Sequence, residues 1–183
     1  MITKISQSLN VCIVLPAYNA EKTLRKTYNE IPSKYRNNVI LVDDASHDRT
    51  TNLAKKLNLH VHRHKNNRGY GGNQKSCYRL ALKRGADIIV MLHPDYQYDP
   101  KLIKYFVEMI KNDYFDVMLG SRIRSRQEAL DGGMPKYKYY SNRFLTIIEN
   151  TLSGHNLSEW HTGMRAYRSD VLKSIKALIS KEV

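Results

Sequence analysis

Short, unbroken apolar runs separated by amphipathic stretches limit this chain more than any other feature. Val11 to Leu15, Val39 to Val42 and Ile88 to Leu92 contain no polar residue at all. A strand with one wet face alternates apolar and polar residues, whereas continuous runs of this length suit strands covered on both faces by helices. Helical patterns fill the gaps: Glu21 to Ile31, stopped by Pro32, then Arg49 to Leu57, Asn73 to Arg84 and Pro100 to Lys111. Leu59 to His64 and Phe115 to Leu119 read as further strands. Ser121 to Lys136 reads as a loop and Tyr137 to Leu152 as a helix, with Gly163 to Tyr167 a strand before a last helix. The expected fold is α/β, a mostly parallel sheet with helices on both faces in one domain.

Composition sets the outer limits. At 183 residues and 42% apolar content the chain can bury one ordinary core. No apolar run approaches the ~18 residues of a spanning helix, and the first one lacks a small-residue cleavage site, so a soluble, unprocessed, cytoplasmic chain is expected. Cys12 and Cys77 fall in a strand and a helix where small apolar residues would serve, which predicts buried free thiols in a reducing compartment. The net charge of +13 attracts polyanions of any kind. Its lysines and arginines are spread along the chain with no nucleic-acid motif, so nucleic acid is not the expected partner.

Polar clusters sit where strands end, which in α/β proteins is where ligands bind. The first is Pro16-Ala17-Tyr18-Asn19-Ala20-Glu21, at a helix start whose free N–H groups suit an anion. The second is Asp43-Asp44-Ala45-Ser46-His47-Asp48. Adjacent aspartates repel, so a partner is expected for them; one can accept from a base or ribose, and Asp48 can cap a helix. The third, His93-Pro94-Asp95-Tyr96-Gln97-Tyr98-Asp99-Pro100, follows the Ile88 strand.

In this order and spacing, PAYNAEKT, VDDASHDRT, NNRGYGGNQ, HPDYQYDP and LGSR resemble the inverting nucleotide-sugar glycosyltransferases of family 2, in the branch that includes dolichol-phosphate mannose synthase. The likeness covers roughly residues 10 to 175. It implies a GT-A type, Rossmann-like fold, with a nucleotide-sugar half over about 10–120 and an acceptor-side half over about 121–183, the latter expected to be shortened. It implies donor binding by Pro16, Ala17, Tyr18, Asn19, Glu21, Asp44, Gly71, Lys75, Asp95, Arg122 and Arg165, with Asp43 structural. Asp95 matches the second aspartate of the family's metal motif, Gln97 a polar position that can also face the ion, and His93 stands where the first aspartate usually is. A divalent ion, magnesium or manganese, is the implied cofactor; imidazole at His93 favours manganese over magnesium and weakens the metal dependence. Asp99 reads as a helix cap.

Ser158 to Arg165 resembles the acceptor-side motif of the same branch, with Glu159 the first candidate base and His161 the second. A lipid phosphate acceptor is already anionic and needs little help from a base; a growing glycan is the other acceptor class. A lipid acceptor would bring the enzyme to the inner face of the cell membrane, where the basic aromatic stretch Lys136 to Tyr140 is a candidate contact, its plainer reading being an ordinary first helical turn. Two rival signals are weak. The glycines at 69, 71 and 72 lack the third glycine of a dinucleotide fingerprint, and His60, His62 and His64 read as polar surface on a sheet edge. The competing function is a catalytically inactive nucleotide-sugar binder or a basic polyanion-binding protein.

Overall fold

The computed structural model describes residues 9–121, 126–131 and 135–175. In chain order the elements are β1 (Val11–Ala17), α1 (Glu21–Glu30), β2 (Val39–Asp43), α2 (Thr50–Lys56), β3 (His60–Arg63), α3 (Gly69–Lys83), β4 (Ile88–Leu92), α4 (Ile103–Lys111), β5 (Val117–Leu119), α5 (Arg126–Asp131), α6 (Lys136–Ser153), β6 (Met164–Arg168) and α7 (Ser169–Ser174). The strands form one six-stranded sheet in the order β3-β2-β1-β4-β6-β5. β3, β2, β1 and β4 are parallel, while β6 runs antiparallel to both its neighbours.

The apolar runs do what burial on both faces requires. Ile13, Leu15, Leu41, Val90 and Leu92 pack towards Leu24 of α1, Ala54 of α2 and the stripe Ile103, Phe106, Val107 and Ile110 of α4. That stripe follows the i, i+3, i+4, i+7 spacing of one helix face. Cys12, Val14, Ile40, Val42, Ile89 and Met91 pack on the other face against Cys77, Tyr78 and Ala81 of α3 and Leu172 of α7. Both cysteines are buried and free, and burial pushes the Cys12 thiol up to about 12.

The structure departs from the sequence reading at the sheet's rims. β5 is an edge strand with largely exposed side chains rather than a doubly buried one, while β3 is an exposed edge strand, as its histidines suggest. The stretch read as a loop from 121 to 136 contains α5, whose Arg-Gln-Glu-Ala-Leu-Asp sequence is rich in good helix formers. β6 is reversed because the chain enters it from the ligand-binding edge: His93 N–H donates to Gly163 O at 3.2 Å and Gly120 N–H to Met164 O at 2.9 Å, beside the tips of β4 and β5. Among the described residues no helix is long and apolar enough to cross a membrane.

Candidate functional site

The strand order reverses between β1 and β4, and the chain leaves these two strands in opposite directions along the sheet. Such a switch point opens a crevice at the strands' carboxyl ends. Here it is a cleft of about 440 Å³ lined by the turns after β1, β2 and β4 and by the start of α3. In each of the three turns a non-glycine residue adopts a left-handed backbone: Asn19 (φ 51°), Ala45 (φ 60°) and Tyr96 (φ 63°). Such conformations are uncommon outside glycine, most of all for a bulky residue, and cluster at ligand sites.

The three aspartates after β2 have separate tasks. Asp43 is fully buried and accepts from Thr51 Oγ1 at 2.7 Å and from the Ser46 hydroxyl, with Arg63 Nε at 3.3 Å. It ties the turn to α2 and β3. Asp48 accepts from the Glu21 N–H at 3.0 Å and the Thr50 N–H at 2.9 Å, and so caps two helices at once. The Ala20 N–H is likewise taken, by Thr50 Oγ1 at 2.8 Å. The α1 N-terminus therefore spends these donors on its neighbours, not on an open anion site.

Asp44 alone of the three faces the cleft. Its Oδ1 is fixed by His64 Nδ1 at 2.7 Å and the Arg68 N–H at 2.9 Å, and His64 Nε2 meets Ser76 Oγ at 2.9 Å. Among the described residues nothing bonds its Oδ2. One carboxylate oxygen is thus clamped while the other is left for a ligand, the arrangement that lets a site recognise a base or ribose donor without reorganising. The edge-histidine reading is corrected here for His64. β3 ends at Arg63, so His64 leaves the strand and turns inward, buried, while His60 and His62 stay exposed. Asn73 of α3 adds a second buried polar group: its Nδ2 donates to Val42 O at 3.2 Å and Ala17 O at 3.4 Å, and its Oδ1 has no partner among the described residues.

Of the residues singled out from sequence, Pro16, Ala17, Tyr18, Asn19, Asp44, His93 and Asp95 meet in this cleft. Asn67, Gly69, Tyr70 and Asn73 join them from the NNRGYGGNQ stretch, with Thr23 and Pro94; Thr23 Oγ1 donates to Pro94 O. Glu21 is held outside by Arg49 Nε at 2.7 Å. Gly71 is exposed in the first turn of α3, and Lys75 lies a turn further along it. Gln97 is exposed beyond the left-handed Tyr96, and its backbone N–H donates to Asp95 Oδ1 at 3.1 Å. Asp99 caps the following turn by accepting from the Lys101 N–H at 2.9 Å. Arg122 lies outside the described residues.

Of the residues expected on an acceptor side, Glu159 is buried, with Asn142 Nδ2 3.4 Å from its Oε1, and His161 Nε2 is paired with Glu149 Oε1 at 3.1 Å. Arg165 on β6 donates from Nε to Thr162 O at 2.9 Å. None of these lines the cleft. The segment that carries them is tied to the metal-motif turn through Tyr98, whose hydroxyl receives the Gly163 N–H at 2.9 Å and lies 3.1 Å from Thr162 Oγ1.

A six-stranded α/β sheet with helices on both faces and its cleft at this switch point is the GT-A glycosyltransferase architecture. The family model described as glycosyl transferase family 2 matches residues 12–176, and the chain belongs to that family. It is 29% identical over 180 residues to a UDP-N-acetylglucosamine dolichyl-phosphate N-acetylglucosaminyltransferase of Methanococcus voltae, covering 89% of this chain and 71% of that one. It is 27% identical over 177 residues to an undecaprenyl-phosphate mannosyltransferase of Micrococcus luteus, covering 91% and 70%. Glucosyl-3-phosphoglycerate synthase of Mycobacterium tuberculosis, solved with Mn2+, UDP-glucose and phosphoglyceric acid, superposes with a TM-score of 0.69 at 18% identity. The likeness covers 91% of this chain but only 59% of that one.

Proposed function

We propose that the protein transfers a sugar from a nucleoside diphosphate sugar to a phosphate-bearing acceptor of the polyprenyl phosphate class, with inversion at the anomeric carbon. The observation that carries this reading is Asp44, clamped on one oxygen by His64 and the Arg68 N–H and facing the same cleft as Asp95. The nucleoside sits against Asp44 and the β1 turn, and the diphosphate lies towards Asp95 and the start of α3, whose first-turn N–H groups favour a negative charge. The acceptor oxygen forms its bond to the anomeric carbon from the side opposite the diphosphate, which leaves with the electron pair of the broken bond.

The names of the relatives from Methanococcus and Micrococcus support a polyprenyl phosphate acceptor. So does the acceptor-side geometry: Glu159 and His161 both have partners on α6, and a phosphate oxygen needs no base to become a nucleophile. Among the described residues there is no cluster of three or more side chains fit to cage a metal, so the donor set suits an ion shared with a diphosphate. Asp95 and His93 would hold it, and it would neutralise charge developing on the leaving group.

The test is thermal shift and calorimetry against UDP, GDP, CDP and dTDP, with and without manganese or magnesium. One nucleotide should stabilise saturably, and Asp44→Ala should weaken it about tenfold or more. In Asp95→Ala the metal should add nothing while the metal-free affinity persists. Stabilisation by none of the four would overturn the reading.

A further inference from the structure

The turn after β4 is fastened to α1 on either side of Asp95. On one side, Thr23 Oγ1 donates to Pro94 O. On the other, the Tyr96 hydroxyl donates to Glu30 Oε1 at 2.5 Å, and Lys26 Nζ lies 3.7 Å from the centre of the Tyr96 ring. Thr23, Lys26 and Glu30 stand at i, i+3 and i+7, so they form one row along α1. That row lies beside the one that enters the core, where Leu24 and Thr27 are buried. Tyr96 reaches α1 from a left-handed backbone (φ 63°), a conformation that is unfavourable for a bulky residue and persists only where its surroundings hold it. Here the ring and hydroxyl are held by Lys26 and Glu30.

Asp95 sits between the two fastened residues. Its side chain lines the cleft, and its Oδ1 accepts from the Gln97 N–H at 3.1 Å, so the carboxylate is oriented by the same turn that Tyr96 anchors. An exposed carboxylate on a loose turn samples many directions, whereas an ion shared with a diphosphate needs its protein oxygen in one. Tyr96, Lys26 and Glu30 all lie outside the cleft lining, so any effect they have on the ion passes through Asp95. We infer that Tyr96 is a positioning residue: clipped to Glu30 and Lys26 of α1, it turns Asp95 into the cleft and fixes the direction from which the carboxylate meets the ion. The inference rests on the reading of Asp95 as a ligand of that ion, and it adds a contact between the β4 turn and α1 on which the ligand's orientation depends.

Two measurements separate the clip from that reading. The first needs no ligand: amide exchange of the full chain, followed over 93–99, where the Gln97 N–H reports on the Asp95 carboxylate. Exchange there should speed up about tenfold in Tyr96→Phe and in Glu30→Ala, with the β1 and β2 amides unchanged, while Glu30→Gln, which keeps an acceptor oxygen, should stay near the parent. The second is calorimetry with UDP and with GDP, each with and without Mn2+. In Glu30→Ala, and in Tyr96→Gly, which relieves the left-handed backbone but removes the clip, the gain in affinity from the ion should shrink about tenfold while the metal-free affinity is unchanged. A purely structural role would weaken both affinities together, and that result would overturn the inference. So would an undiminished gain in Tyr96→Gly, or unchanged exchange in Tyr96→Phe. A parent to which Mn2+ adds nothing, with the exchange result intact, overturns the ion reading of Asp95 and leaves the clip upheld as what orients that carboxylate.

Discussion

The turn after β2 and the segment after α6 both carry polar groups named by their motifs, yet they are held in opposite ways. The β2 turn is pinned from within, by Asp43 to Thr51 and Arg63, by Asp48 to two helix starts, and by Asp44 to His64 and Arg68. The segment 157–161 is pinned largely from one side, by the polar stripe of α6. A donor cleft built the first way is formed before any ligand arrives. A segment held the second way moves when its helix moves, so whatever seats α6 also sets the position of Glu159 and His161.

The largest effect that tests this contrast is Asp43→Ala. It leaves the Thr51 and Ser46 hydroxyls without their buried acceptor and removes the carboxylate beside Arg63, so global stability should fall by about 3 kcal/mol. Urea unfolding would measure it. A loss under ~1 kcal/mol would show that the turn is not anchored through the core. The matching change on the other side is Asn150→Ala, which removes three hydrogen bonds, to the Leu157 N–H, the Leu157 carbonyl and the Trp160 indole. These are only part-buried, so the expected cost is smaller, about 1–2 kcal/mol, and local. Amide exchange over 157–161 should speed up while the β1 and β2 amides stay protected. Uniform acceleration would erase the distinction between the two regions.

The contrast also explains what could be read from sequence. β1, β2 and β4 were legible because their apolar runs are buried on both sides, and the three turns after them followed as ligand positions. Asp48 and Asp99 as caps were legible from residue type and place, and Asp43 as a structural residue from the resemblance alone. His64 was not, because strand alternation groups it with His60 and His62, and only the end of β3 at Arg63 turns it inward. Gln97 matches a family position that can face the metal, and nothing in that match signals the left-handed backbone at Tyr96 that precedes it. Asn73 and Tyr70 had no signal beyond belonging to a quoted stretch. The polar stripe of α6 was present as a pattern, but whether it faces inward depends on the later segment 157–161, and helix periodicity cannot supply that.

The smallest expected effect separates Asp48 from its two neighbours. Burial pushes the Asp48 carboxyl up, but the Thr50 hydroxyl and the N–H groups of Glu21 and Thr50 favour its charged form and bring it below the ordinary carboxylate range. A carboxyl lowered in the folded state contributes stability that is fully present above its unfolded value near ~3.9 and is lost as pH falls from there towards the folded value. Asp48→Asn removes that contribution and keeps the shape. The variant should therefore be less stable than the parent at neutral pH, and the gap should narrow once pH falls below about 4, where the parent's carboxyl begins to take up its proton. Paired urea titrations at neutral and acidic pH measure it. A gap that stays constant with pH would mean that Asp48 caps α1 and α2 by shape alone, and that charge in this turn is reserved for Asp44 and the ligand it faces.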